Sequence, residues 1–455
     1  MLKRFLSQLL RYVKIFSFNA PQALPVGAKS SGFLSNHVIH YVLIAFLLSI
    51  AIIYCGTGFY RLGFNNNIAF ACDLHLRWAE NKAVVSGETP FQPLSTLSDM
   101  NHYELFFNNV TEDWVNERSI PHAVYPPWSY SLSMLFVIPA QWSIARTWFT
   151  ICCMISFVLI AWTSYSLMRA GFSRIDSGFF TLSLFANISI VYCLSNGQYG
   201  ILIAALLLGC LYCWNTGHTR LAGIFLGFSA IKPQISLLFF LIPCVQKEWR
   251  LLCSAVIVVG LSTLFCCVMI DINPLTMLSV ASHNAKNFID TSQSFIPTMV
   301  SRFAGRTGIL FLAISIFSFS TFFLYRFRHC HLLTLFAICS VGSVSWTYCK
   351  AYDYPVLIML NLALLLSFAK TKSRHFIYCC FTLSLTMIVP LPMRYHNHLI
   401  IQFIYSTVCI TSLLILLTSN STIIKPHTFP AIFKNGKGSQ SEQAVFRENT
   451  SAVTE

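Results

Sequence analysis

Apolar runs of about 20 residues recur along this chain, the length that carries an α-helix across a hydrocarbon core of roughly 30 Å. That recurrence limits the fold more than any other feature. A bilayer interior offers no water to open backbone groups, so only helices and closed barrels span it. The runs are too long and too evenly apolar for the alternating strands of a barrel. With 55% hydrophobic and only 10% charged residues, an all-α polytopic membrane protein is expected.

The runs fall near 38–60, 128–141, 147–168, 177–195, 199–214, 219–231, 234–246, 251–270, 308–325, 331–348, 355–369, 375–391 and 398–418, an expectation of 12–13 membrane helices. They divide the chain into a basic N-terminus 1–37, a first transmembrane helix 38–60, a large outer loop 61–127 and a multi-helix domain 128–418 with a further outer loop 271–307. The tail 419–455 is rich in Ser, Thr, Asn and Gly and is expected to be disordered. Val38 to Tyr60 is too long for a signal-peptide core and no small-residue cleavage site follows it, so it reads as a retained anchor.

The formal charge of +14 does not point to nucleic acid. Its basic residues sit in short loops and tails: Lys3, Arg4, Arg11, Lys14 and Lys29 before the first run, then Arg169, Arg174, Arg220, Lys247, Arg250, Arg326, Arg328, Lys370 and Arg374. That is the positive-inside pattern, with both termini cytoplasmic and 61–127 outside. For these loops to share one side, 128–141 and 147–168 together must cross an odd number of times. The first is short and bounded by Pro126, Pro127 and Pro139, so a half-span, a re-entrant helix or a full span are all open. The 17 cysteines are scattered through apolar segments and read as small apolar residues without metal-type spacing.

The outer loop 61–127 holds Asp73, Glu80, Glu88, Asp99, Glu104, Glu112, Asp113 and Glu117, half of the 16 carboxylates in the chain. Within it, Leu74, Leu76, Trp78, Ala83 and Val84 suit a helix lying on the membrane face, ended by Gly87 and Pro90. Asp73 opens that helix, where the dipole favours a carboxylate; it either caps the helix or carries chemistry. Lys232 ends an apolar run at membrane depth, which is costly and points to function, unless its long stem snorkels to the headgroups. Asp353 lies three residues after Lys350, a spacing that favours a local ion pair over a place on the rim of a site. Gly223 and Gly227 make a small-xxx-small face for close helix packing. The outer loops carry no acids spaced by one residue, so neither a divalent metal nor another cofactor is expected.

Several blocks carry a likeness to a known family. Asp73 follows the first transmembrane run; then come Ser86-Gly87-Glu88-Thr89-Pro90-Phe91, Tyr125-Pro126-Pro127, Asn196-Gly197-Gln198 and the segment Leu221 to Gln234 with its Lys232-Pro233 pair. Gln293-Ser294 with Arg302, and Ser345-Trp346 before Tyr352, complete the set. Together they resemble glycosyltransferase family 87, polyprenyl-phosphate-mannose-dependent α-mannosyltransferases of the C-type membrane superfamily. The family's tyrosine a few residues after the aspartate is absent here, with Trp78 the nearest aromatic.

The resemblance implies a metal-independent, inverting hexosyltransferase of a bacterial plasma membrane. It would take a polyprenyl-phosphate sugar from the bilayer and deliver the hexose to a lipid or glycan acceptor outside. Asp73 is the match to the family's presumed catalytic base. A phosphate leaving group needs no strong general acid, so one carboxylate and nearby cations suffice, whereas a glycosidase wants two flanking carboxylates. Lys232 and Arg302 are the cation candidates, Arg302 for bidentate phosphate contact or as an interfacial anchor. His122 is a phosphate contact or a structural histidine, and Gln198 a sugar contact or a tie within its turn; Tyr125 and Lys350 complete the expected substrate contacts. The rival is a transporter or lipid flippase, which would place ionisable residues at mid-membrane and show internal symmetry; no repeat is visible.

Overall fold

The computed structural model describes residues 37–64, 71–91, 125–285, 295–345, 349–371 and 399–421. Residues Tyr41–Ile424 form one compact unit; the other, Met1–His40 with Lys425–Glu455, lies almost wholly outside the described residues. The expected run 375–391, the tail 419–455 beyond residue 421, and most of the loop between 92 and 124 also lie outside them.

Every regular element among the described residues is helical. In chain order these are α1 (His37–Gly63), α2 (Cys72–Val85), α3 (Pro127–Met134), α4 (Trp142–Met168), α5 (Arg174–Phe185), α6 (Ile188–Asn196), α7 (Gly200–Asn215) and α8 (Thr219–Ser229). They continue with α9 (Pro233–Gln246), which passes through a 3-10 turn at Leu237–Phe240, α10 (Trp249–Ile270), α11 (Pro274–Ala285), α12 (Phe295–Arg326) and α13 (Leu332–Ser345). A 3-10 helix Ala351–Leu357 leads into α14 (Ile358–Thr371), and α15 (Leu399–Ser421) closes the described chain. The protein is an all-α polytopic membrane protein.

Among the described residues, five helices are long and apolar enough to cross a membrane: Ala45–Gly63, Trp142–Met168, Trp249–Ile270, Thr307–Arg326 and Tyr352–Ala369. The pair α5 and α6, bent by 51° at its break, makes a sixth if it is one span. Shorter apolar helices, Gly200–Asn215, Pro233–Gln246, Leu332–Ser345 and Ser406–Thr418, stand beside them among the expected 12–13 membrane helices. Apolar sequence marks burial against protein as readily as burial in lipid, and several expected spans are short helices enclosed by others. α7 and α13 are buried on nearly every side, which is what uniform hydrophobicity also produces. By contrast α10 and α12 turn Val256, Ile257, Leu261, Leu264, Leu310, Phe311 and Phe319 outward, a surface suited to lipid tails. The parity question has a physical answer as well: the eight residues of α3 rise about 12 Å, too short to cross. α4 has the length and hydropathy of a full span.

α8 packs on α10 through Gly223 and Gly227. A Cβ at Gly223 would collide with the Leu251 carbonyl, and one at Gly227 would press on Val258. The two backbones approach because these residues have no side chain. Gly223→Val is expected to lower the thermal unfolding midpoint of the detergent-purified protein by an amount consistent with about 1–3 kcal/mol of overpacking. Gly260→Ala, where nothing lies within 4 Å, should leave it unchanged or slightly raised.

Candidate functional site

Four side chains far apart in sequence meet in one polar line. Lys232 Nζ lies 2.5 Å from Asp353 Oδ1 and donates to Gln198 Oε1 at 3.2 Å. Gln198 Nε2 donates in turn to Asp73 Oδ2 at 2.5 Å. Lys232 is 1% exposed and Asp353 fully buried, so this ammonium does not snorkel to a headgroup. A charge enclosed to that degree needs a charged, hydrogen-bonded partner, and Asp353 is that partner. The Lys232 ammonium also sits 4.6 Å above the Tyr352 ring, a cation–π arrangement.

Each member is delivered by a local backbone feature. Asp73 lies in the first turn of α2, but the N-cap is Ala71 and no side chain caps that end. The carboxylate is thus directed at Gln198, and the capping alternative does not describe it. Ala71 holds a left-handed conformation with φ of 58°, and its N–H donates to the Ser195 carbonyl at 2.6 Å, tying the start of α2 to the end of α6. The turn carrying Gln198 is flanked by two glycines with different tasks. Gly197 ends α6 at φ 67°, and a Cβ there would strike the Leu74 side chain of α2; a Cβ at Gly200 would strike the Tyr352 carbonyl. The turn therefore slides between α2 and the 3-10 helix, placing Gln198 between Asp73 and the Lys232–Asp353 pair. Lys232 itself precedes Pro233, the first residue of α9.

The expected local pair of Lys350 with Asp353 takes another form. The Lys350 backbone N–H donates to Asp353 Oδ2 at 3.2 Å, its ammonium lies 5.9 Å from the Tyr352 ring, and the ion pair of Asp353 is with Lys232. Tyr125 is buried under the Arg77 guanidinium, 4.4 Å from its ring centroid. Arg302 lies on α12 with its side chain outside the described residues, and His122 falls outside them altogether. No group of three or more His, Cys, Asp or Glu that could hold a metal comes together among the described residues.

A second buried pair lies one and two turns along α2 from Asp73. Arg77 Nη1 approaches Glu80 Oε2 to 2.6 Å, yet neither atom meets a partner at hydrogen-bonding angles. The helix that was expected to lie on the membrane face is instead enclosed: Leu74, Trp78, Glu80, Asn81 and Val84 are all buried, against α3, α4, α6 and α10. Asn81 donates to the Val137 carbonyl at 2.9 Å and the Trp78 indole to the Ala140 carbonyl at 2.8 Å. Alternation of polar and apolar residues suggested a half-solvated helix, and these partners account for the enclosed polar positions. Burial pushes the Glu80 carboxyl up to about 7, against the lowering effect of Arg77 and with a further push from the Asp73 carboxylate.

Residues 123–348 match the family model for glycosyltransferase family 87. No curated protein and no solved structure matches the chain. The matched region contains Tyr125, Gln198, Lys232 and Arg302, while Asp73, Lys350 and Asp353 lie outside it.

Glu80 makes a signed prediction. Its folded value, about 7, lies above that of an exposed glutamate near 4.3, so the folded state holds an extra proton between those limits and loses stability as pH rises through them. Relative to Glu80→Gln, the wild type should therefore melt progressively lower from pH 5 to pH 8. Paired thermal melts across that range check it, and a flat difference would contradict it.

Proposed function

Since the chain belongs to glycosyltransferase family 87 through residues 123–348, we propose that this membrane glycosyltransferase moves a hexose, mannose in the first instance, from a polyprenyl-phosphate donor to a lipid or glycan acceptor at the outer membrane face. Asp73 is the general base. The acceptor hydroxyl oxygen attacks C1 of the hexose as the C1–O bond to the lipid phosphate breaks. The bonding electrons leave with the phosphate oxygen, and the hydroxyl proton passes to Asp73. A single displacement of this kind inverts the anomeric centre.

The observation that carries this reading is the Gln198 amide bridging Asp73 and Lys232. An ammonium only donates hydrogen bonds, so it selects the oxygen of the amide. The NH2 group must then face Asp73 and donate to it. Oδ2 is occupied by this bond, leaving Oδ1 for the incoming hydroxyl. Lys232 thereby acts as a positioning residue balanced by Asp353, a change from the phosphate contact suggested by its place in the sequence. Arg302 and His122 remain the phosphate contacts in this reading. The donor's lipid lies among the apolar helices, with the loop 61–127 over the acceptor.

The test is transfer by the purified protein in lipid, with polyprenyl-phosphate-mannose and candidate acceptors. Asp73→Asn should lower the rate by at least about 100-fold, the scale of a lost general base, with an unaltered melting temperature. Transfer within a few-fold of wild type would remove Asp73 from the chemistry.

A further inference from the structure

At one end of the helical bundle, cations gather from three separated stretches of the chain. Arg220 stands in the first turn of α8, Lys247 and Arg250 at the turn from α9 into α10, and Arg326 and Arg328 at the end of α12. Helix packing brings these ends to one face. Gly223 lies against Leu251 and Gly227 against Val258, so α8 runs parallel to α10 and Arg220 is level with its start. The Gln246 side chain donates to the Arg328 carbonyl at 2.5 Å, which fastens the end of α9 to the end of α12.

The charge gathered there is unopposed. Within 219–222, 246–251 and 325–331 the sole acid is Glu248, and no ion pair joins any of these cations to a carboxylate among the described residues. Arg220, Lys247, Arg250 and Arg326 are exposed and Arg328 is half-buried. Positive charge that only orients a chain in the membrane has no need to converge, yet here the packing of α8, α9, α10 and α12 collects it.

The surroundings point to the occupant. Trp249 and Tyr325 are exposed beside the cations, rings with one apolar and one polar side that suit a membrane interface. The Arg328 guanidinium lies 4.3 Å from the Tyr325 ring centroid, so its donor fork is held at this edge. Farther along the same helices, Val256 and Ile257 on α10 and Phe319 and Phe322 on α12 face outward. Lys247 itself holds a left-handed conformation with φ of 58° at the end of α9, a place where glycine is the least strained residue. An anionic headgroup with acyl chains uses all of these features. A soluble anion leaves the rings and the apolar faces without a role, and a zwitterionic headgroup brings a cation of its own against the arginines.

We propose that Arg220, Lys247, Arg250, Arg326 and Arg328 bind the headgroup of an anionic phospholipid, whose acyl chains lie along the outward faces of α10 and α12. Basic clusters at the ends of membrane helices recognise such headgroups. The site is separate from the polar line, because Lys232 and Lys247 flank opposite ends of α9, and it does not depend on the transferase reading.

Protein purified in a neutral detergent is titrated with dioctanoyl phosphatidylglycerol or dioctanoyl phosphatidylcholine, and bound lipid is followed by native mass spectrometry. Glycerol phosphate and a hexaglutamate peptide serve as competitors. Phosphatidylglycerol should bind saturably and at least about tenfold more tightly than phosphatidylcholine, and neither competitor should displace it. Lys247→Gln/Arg250→Gln/Arg326→Gln should weaken phosphatidylglycerol roughly 100-fold and leave phosphatidylcholine unchanged. Arg326→Gln alone should weaken it about fivefold, whereas Arg174→Gln, which removes an exposed arginine of α5, should not. If the triple variant misfolds, this pair of single variants decides the question. Equal affinity for the two lipids, or equal losses from Arg326→Gln and Arg174→Gln, would reduce the cluster to general surface charge. Displacement by glycerol phosphate would make it a site for soluble anions, and displacement by hexaglutamate a face for an acidic protein. Each of these results overturns the proposal.

Discussion

The arrangement depends on one enclosed charge. Lys232, 1% exposed among apolar helices, is tenable as an ammonium only with a carboxylate against it, and removal of one partner of such a pair commonly costs about 3–5 kcal/mol. Asp353 meets that need from 121 residues away. Their pairing obliges the turn before α9 and the 3-10 helix before α14 to meet, and the glycine-flanked turn at Gln198 closes the gap to α2. A buried ion pair contributes little net stability compared with apolar packing. Its value here is that it admits one geometry.

That geometry propagates through an amide. Gln198 has two chemically different faces, and its neighbours accept only one orientation. Asp73 consequently receives a donor on a chosen oxygen, and the remaining oxygen is directed by the backbone of α2. In the proposed reading, positioning of this kind would hold Asp73 as a base within the narrow tolerance that proton transfer requires.

Much of the fold could be read from the sequence because lipid and protein interiors select the same residues over the same lengths. For the same reason the number of spans could not be: α3, α7 and α13 satisfy hydropathy without the length or exposure of a lipid-facing helix. The individual members of the polar line were conspicuous, as rare charges in apolar surroundings and a polar residue between glycines. Their connection was not, since spacing suggested Lys350 for Asp353 while the fold brought Lys232. The Arg77–Glu80 pair has an i, i+3 spacing, on a helix that was expected to lie on the membrane face.

The two buried cations of this region each have an acid against them, Lys232 with Asp353 and Arg77 with Glu80. In the proposed reading, that suits a catalyst whose anionic leaving group departs with its own lipid.

The most direct measurement is a double-mutant cycle on the transfer rate between Gln198→Ala and Asp353→Asn, made on protein shown to be folded. If Asp353 acts on Asp73 through Lys232 and Gln198, breaking the line twice should be no worse than breaking it once, and the double variant should fall within about threefold of the slower single variant. Rate losses that simply multiply would mean that the two residues contribute separately, and the account would be wrong.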